Sequence, residues 1–327
     1  MALITDPAIG TLIIDVAAQG TQMLLVLVVA PLMIGVTRKV KARLLRRRGP
    51  SVLLPYRDLW KLLHKEAVLA HNASWVYRAA PYLIFAATWV AAALVPTYAT
   101  GLLFSWSADL IAVVALLATA RFALALAGMD VGTAFGGIGS SREMLISSLA
   151  EPAMLLIAFT VALVAGTTQL STIAAHMIHQ PVGLRVSLGL ALFALVFVAI
   201  AENARIPIDN PATHLELTMV HEAMVLEYSG RHLAMIEAAA ALKLVLYFSL
   251  LICLFAPFGM ATVERTPQAL AIGAGAYVGK LLVLAVLLPI GETTVAKMRV
   301  FRYPIFLGGA FAAAALAVFL LFVSQGF

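Results

Sequence analysis

Eight apolar stretches divide this chain, near residues 9–36, 76–97, 107–128, 142–165, 184–203, 234–258, 269–291 and 304–325. At 1.5 Å per residue each is long enough to cross a hydrocarbon layer of about 30 Å as a helix. Hydrocarbon offers no partner to a backbone N–H or C=O, so a spanning segment satisfies its own and becomes helical. The expectation is an all-α polytopic membrane bundle of about eight transmembrane helices, with residues 1–327 forming a single integral membrane domain. The chain is 63% hydrophobic and 12% charged, where a soluble domain carries about 25% charge. The first stretch exceeds one bilayer, so it tilts or protrudes. The N-terminus enters it with no basic n-region, and no cleavable signal is expected.

Lysine and arginine set the expected orientation. Arg38, Lys39, Lys41, Arg43, Arg46, Arg47, Arg48, Arg57, Lys61 and Lys65 follow the first stretch, and Arg78, Arg142, Arg205, Arg231, Lys297, Arg299 and Arg302 fall on the same side. Only Arg185 and Arg265 fall on the other, while Arg121, Lys243 and Lys280 lie within spans. The positive-inside rule puts both termini outside and loops 37–75, 129–141, 204–233 and 292–303 in the cytoplasm. The net charge of +6 is what insertion asks of one face, so no nucleic-acid partner is implied.

The segment Glu202–Arg231 is polar between two apolar stretches. It holds Glu202, Asp209, Glu216, Glu222 and Glu227 with Arg205, His214, His221 and Arg231. Ionisable groups at bilayer depth are costly and usually face protein or a water-filled cavity. Pro207 and Pro211 lack an N–H, so residues 205–211 are extended or broken, with a helix from Ala212 to about Tyr228. The segment is either a carboxylate-lined hydrated path or docking site, or an amphipathic loop with solvated charges. His221-Glu222 lacks the second histidine of a zinc-protease motif, since residue 225 is valine.

Arg142, Glu143 and Glu151 open the fourth span, with Glu151 well inside it and Pro152 freeing a helix carbonyl. Glu151 is either a proton-exchanging group or an ion-pair partner of Arg121, Lys243 or Lys280. Asp15, Glu237, Lys243, Lys280 and Glu292 are further charges in or near spans; Glu237 and Lys243 flank the start of span six and can snorkel. A buried proton relay and mutual neutralisation of a packed bundle would both look like this.

From Pro55 to Glu66, Leu59, Leu62 and Leu63 fall at helical spacing beside Trp60, with Arg57, Asp58, Lys61 and Lys65 between them. That pattern is an interfacial amphipathic helix. Gly128, Gly132, Gly136, Gly137 and Gly139 mark a turned inner loop, and no phosphate-binding loop pattern accompanies them. The lone Cys253 excludes an internal disulfide and a four-cysteine cluster, and lies in an apolar run as a core residue. His176 and His179 sit in an outer loop without an evident third ligand.

Three blocks carry a family resemblance. They are Arg48-Gly49-Pro50 with Pro55–Glu66; Arg142 with Glu151 nine residues on; and Ala201–Pro211 followed by Glu216-Leu217 and Glu227-Tyr228-Ser229-Gly230. Together they resemble complex I subunit 1 and its relatives in membrane-bound group 4 nickel–iron hydrogenases, over nearly the whole chain. Ala212 and His214 replace acids usual in the quinone-reducing branch, and the wording of residues 214–231 resembles the formate hydrogenlyase and hydrogenase-4 branch.

The resemblance implies a membrane-anchor and proton-coupling subunit of a hydrogenase-type oxidoreductase complex in a bacterial or archaeal inner membrane. No cofactor would be bound by this chain; [NiFe] and [4Fe-4S] centres would belong to partners. Those partners would be hydrogenase-like large and small subunits, an iron–sulfur subunit and antiporter-like membrane subunits. The implied coupling residues are Glu151, Glu202, Asp209, Glu216 and Glu227, organised by Arg142 and Arg205, with Glu143, Glu222, Lys243 and Lys280 as further relay candidates. The loop at 38–66 would dock the soluble arm through Arg46, Arg47, Arg48, Asp58, Lys61, Lys65 and Glu66. The alternatives are a quinone-site subunit of NADH dehydrogenase, the same anchor in a hydrogenase-related complex without the nickel site, and an inert structural anchor. A stand-alone transporter is disfavoured because the span pattern shows no inverted repeat.

Overall fold

The structure is a computed structural model that describes residues 7–179, 186–205, 220–262, 266–295 and 303–325, with side chains from residue 14 onward. Its helices are α1 (Pro7–Leu44), α2 (Leu54–Leu63), α3 (Trp75–Leu94), α4 (Leu110–Asp130), α5 (Ala134–Ala165), α6 (Leu170–His179) and α7 (Val186–Glu202). After these come α8 (His221–Val225), α9 (Gly230–Phe255), α10 (Pro267–Thr294) and α11 (Tyr303–Gln325). Among the described residues there is no strand, and 7 helices are long and apolar enough to span a membrane. The shorter apolar α7 has 17 residues, about 26 Å of rise. The chain is an integral membrane helix bundle.

Local chemistry sets the helix ends. Asp109 accepts from the Ile111 amide to start α4. Thr133 accepts from the Gly136 amide to start α5. Thr266 accepts from the Ala269 amide at α10, where Pro267 takes the first turn at no hydrogen-bond cost. α9 is the most enclosed spanning helix, with α1, α2, α3, α6, α7 and α10 packed around it. α3 packs on α4, α4 on α5, and α11 against both α5 and α7.

Several expected loops are helix. α1 runs to Leu44, carrying Arg38, Lys39, Lys41 and Arg43 beyond its apolar part. α10 runs through Glu292 to Thr294. The expected loop 129–141 is mostly the start of α5, and only Gly132, at φ 73°, makes the turn. Gly136 and Gly139 permit close approach. A Cβ on Gly136 would strike the Gly128 carbonyl, and one on Gly139 would lie 2.9 Å from the Val220 carbonyl. Glycine reads as turn in a sequence, but here it serves helix contact. α2 spans residues 54–63 and buries Pro55, with Leu59 and Leu62 half-buried; Trp60 and Leu63 are exposed. Of the helix expected over 212–228, residues 212–219 lie outside the described residues, and over 220–228 only α8 is helical.

Candidate functional site

Arg121 sits midway along α4 with its side chain 5% exposed. Its Nη1 lies 2.8 Å from Glu202 Oε1 at the end of α7 and 3.6 Å from Glu151 Oε1 on α5. It also donates to Ser147 Oγ at 2.9 Å, which in turn donates to the Glu143 carbonyl. The Glu143 side chain is buried and contributes to the field at the guanidinium. From α9, Lys243 Nζ reaches Glu202 Oε2 at 3.2 Å. Glu202 is 1% exposed and so is clamped by two cations. A buried charge persists only with such partners, because desolvating one ion alone costs several kcal/mol. Four helices therefore meet through side-chain charge.

The cluster borders a cavity of about 80 Å³ lined by Arg121, Glu143, Glu202, Asn203, His221 and Lys243 among apolar side chains. A water needs roughly 10–15 Å³ of such space and two or more polar partners, so the cavity has the room and the polar lining for several. His221 of α8 brings an imidazole to it, and burial, with the Lys243 charge second, pushes its pKa down to about 4. Glu151 lies on the outer side of the cluster, its side chain 40% exposed. It lines a separate groove of about 420 Å³ with Thr119, Phe122, Ser147 and Ser148.

A second ionic node lies where α1, α10 and the turn after α7 converge. Glu292, with its side chain 2% exposed, has Oε2 2.5 Å from Lys41 Nζ and Oε1 3.6 Å from Arg205 Nη1. A third charged region is a groove of about 240 Å³ between α1, α2 and α9, where Arg38, Asp58 and Glu237 join Ile34, Leu59 and Leu62.

The sequence candidates separate accordingly. Glu143, Glu151, Glu202 and Lys243 come together. Arg205 joins Glu292 rather than the Glu202 cluster, and Arg142 lies beside Tyr303 at the start of α11. Lys280 belongs to neither node. Its ammonium donates to the Ala256 carbonyl at 2.7 Å and to that of Phe258, over the Phe258 ring. Lys243 and Glu237 lie inside α9, about four and two turns from its start. Lys243 turns inward to Glu202 instead of snorkelling. Asp209 and Glu216 lie outside the described residues, while Glu222 and Glu227 are exposed. Of the docking set, Arg46, Arg47, Arg48, Lys61, Lys65 and Glu66 are exposed, whereas Asp58 faces the groove.

Ser229 ties down the chain just after that loop, at Val68. Its Oγ accepts from the Val68 amide at 2.8 Å and donates to the Val68 carbonyl at 3.1 Å. Tyr228 stacks on Tyr77, ring centroids 4.1 Å apart, and donates to its carbonyl. Arg121, a candidate partner of Glu151 in the sequence, does pair with it; that Arg121 and Glu292 are the hubs of the two nodes was not signalled by any motif. No group of three or more metal-ligating side chains occurs among the described residues.

The sequence model of the NADH dehydrogenase family matches residues 18–323. The chain belongs to the NADH dehydrogenase family. Within that family it is 34% identical over 278 residues to formate hydrogenlyase subunit 4 of Escherichia coli, covering 85% of this chain and 89% of that protein. It is also 34% identical over 290 residues to hydrogenase-4 component C of the same organism, covering 89% and 90%. Its fold is shared with a chain of the membrane-bound sulfane sulfur reductase, an archaeal respiratory membrane complex. The TM-score is 0.76 at 20% identity, over 94% of this chain and 99% of the other. The chain is thus homologous to membrane subunits of oxidoreductase complexes.

Proposed function

We propose that this chain is the membrane-anchor and proton-coupling subunit of a multi-subunit hydrogenase of the formate hydrogenlyase or hydrogenase-4 type. The observation that carries this is the Arg121-centred cluster. A carboxylate clamped by two cations on different helices, beside a cavity with room for water, changes partner or protonation when the local field changes. Such a field change would come from redox or docking events in a soluble arm. The exposed Arg46, Arg47, Arg48, Lys61, Lys65 and Glu66 suit an arm that docks at the basic end, which the positive-inside rule places in the cytoplasm of a bacterial or archaeal cell.

The chain contributes no redox centre to this scheme. [NiFe] and [4Fe-4S] centres would sit in hydrogenase-like large and small subunits and an iron–sulfur subunit. Antiporter-like membrane subunits would receive the charge movement. Arg121 fixes geometry, because a guanidinium stays charged at any working pH. Glu151, Glu202, Glu143 and Lys243 are the groups that respond, while Asp209, Glu216, Glu222 and Glu227 would extend the path toward the arm.

The groove of Arg38, Asp58 and Glu237 favours a second reading, a quinone-site subunit of an NADH dehydrogenase, since it combines apolar walls with a few charges. Mass spectrometry and metal analysis of the intact complex, purified through a tag on this chain, separate the cases. A large subunit with bound nickel and iron is the expected result. NADH-oxidising subunits would overturn it in favour of the quinone reading, and a nickel-free large subunit would move the chain to a hydrogenase-related complex.

A further inference from the structure

The coupling cluster and the docking loop are joined through a turn and a carboxylate that belong to neither. α7 ends at Glu202, and the chain turns through Asn203 and Ala204 to Arg205. The Arg205 amide donates to the Ile200 carbonyl at 3.0 Å, and the Ala204 amide to the Ala201 carbonyl at 3.1 Å. This pair of bonds closes a helix end with one residue in left-handed backbone, a place glycine usually takes. Here it is Ala204, at φ 48°. An alanine there is strained, and strain of this kind persists only where its surroundings over-determine it. Ion pairs do so from both sides: Arg121 and Lys243 hold Glu202, and Glu292 holds Arg205.

Glu292 also holds Lys41 on α1, immediately before the exposed run Arg43–Arg48. We propose that Glu292 is a positioning residue for the coupling cluster, linking the docking end of α1 through Lys41 to the Glu202–Arg205 turn through Arg205. The proposal rests on the coupling role given to that cluster. The node is asymmetric in a way that suits this role. Oε2 is at hydrogen-bond distance from Lys41, while Oε1 accepts no hydrogen bond among the described residues. Arg205 can therefore close onto Oε1 without displacing another donor. Arg38 places a further positive charge near Arg205, and Glu292, paired with both Lys41 and Arg205, offsets the repulsion between those two. A partner engaging the neighbouring arginines shifts Lys41. That changes the hold on Arg205, and the braced turn passes the change to Glu202.

The test uses the intact complex in membrane vesicles, with Glu292→Gln, Lys41→Gln and Lys41→Arg in this chain and Glu202→Gln as the reference. Two quantities are read: turnover of the arm with a soluble redox partner, and ions translocated per turnover. Glu292→Gln and Lys41→Gln are expected to lower ions per turnover roughly 5-fold or more, the lower end of ordinary intersite coupling. Arm turnover stays unchanged, and Lys41→Arg keeps the wild-type ratio. If Glu202→Gln uncouples and Glu292→Gln and Lys41→Gln do not, the proposal is overturned while the coupling role stands. A Glu202→Gln complex with the wild-type ratio overturns both. Should Glu292→Gln fail to assemble, Lys41→Gln decides by the same criterion, because it leaves Arg205 and Glu292 paired.

Discussion

The two ends of the bundle meet polar groups with different chemistry. Away from the basic loops the partners are mostly backbone. Gln19 donates to the Ala93 carbonyl at 3.1 Å, and Gln22 to those of Ala93 and Val95 at 3.0 and 2.9 Å. Lys280 rests on the carbonyls of Ala256 and Phe258. At the basic end the partners are charged side chains on other helices: Arg121 with Glu202 and Glu151, Lys243 with Glu202, Lys41 and Arg205 with Glu292. A carbonyl neither titrates nor changes partner without moving its helix. A carboxylate shared between cations does both. Satisfied backbone contacts make the far end a fixed frame, and shared ion pairs make the near end capable of switching.

Removing charge should affect the two ends differently. Arg121→Met leaves Glu202, Glu151 and Glu143 without their common cation. The expected loss is about 3–5 kcal/mol, the usual cost of breaking a buried pair from one side. Thermal unfolding of the detergent-solubilised protein checks it, and an unchanged midpoint would show that the cluster is solvated. Lys280→Met at the far end should cost about 2 kcal/mol through lost charged hydrogen bonds. It should leave ions translocated per turnover unaltered; uncoupling there would erase the distinction between the ends.

The pH dependence sharpens the same contrast. Burial first, and Lys243 second, hold the His221 pKa at about 4 against an ordinary 6.5. The folded state favours the neutral ring, so the stability this contributes is complete above pH 6.5 and is lost as pH falls toward 4. His221→Gln should therefore reduce the fall in unfolding midpoint between about pH 7 and pH 5. Equal falls in wild type and variant would remove His221 from the cavity's electrostatics. The smallest effect is expected of Ala204→Gly, which relieves a left-handed alanine and should stabilise by about 1 kcal/mol. A lower unfolding midpoint would mean that the turn carries no strain.

The architecture was legible in the sequence because hydrocarbon dictates it: all eight apolar stretches became helices. Their ends were less legible where glycine and charge mislead. Gly136 and Gly139 resemble a loop until helices α4, α5 and α8 are seen to touch there. Lys41 and Glu292 resemble loop charges until α1 and α10 are seen to run past the apolar part and pair. Glu143, Glu151, Glu202 and Lys243 could be nominated one at a time, since an ionisable group in an apolar stretch announces itself. Which of them meet could not, because pairing depends on helix rotation and packing. Lys280, chemically akin to Lys243, finds carbonyls instead of carboxylates for that reason. Arg205 is close to Glu202 in sequence, yet the turn at Ala204 sends it to Glu292.

Whether the Arg121–Glu202–Lys243 cluster couples redox turnover to ion movement is decided by the ions translocated per turnover in vesicles carrying Glu202→Gln. The variant keeps the side chain's shape and removes the charge that Arg121 and Lys243 share. A fall of roughly 10-fold, about 1.4 kcal/mol of coupling, in an assembled complex is the predicted result. The wild-type ratio in that same assembled complex would leave the cluster a structural ion pair with no part in coupling.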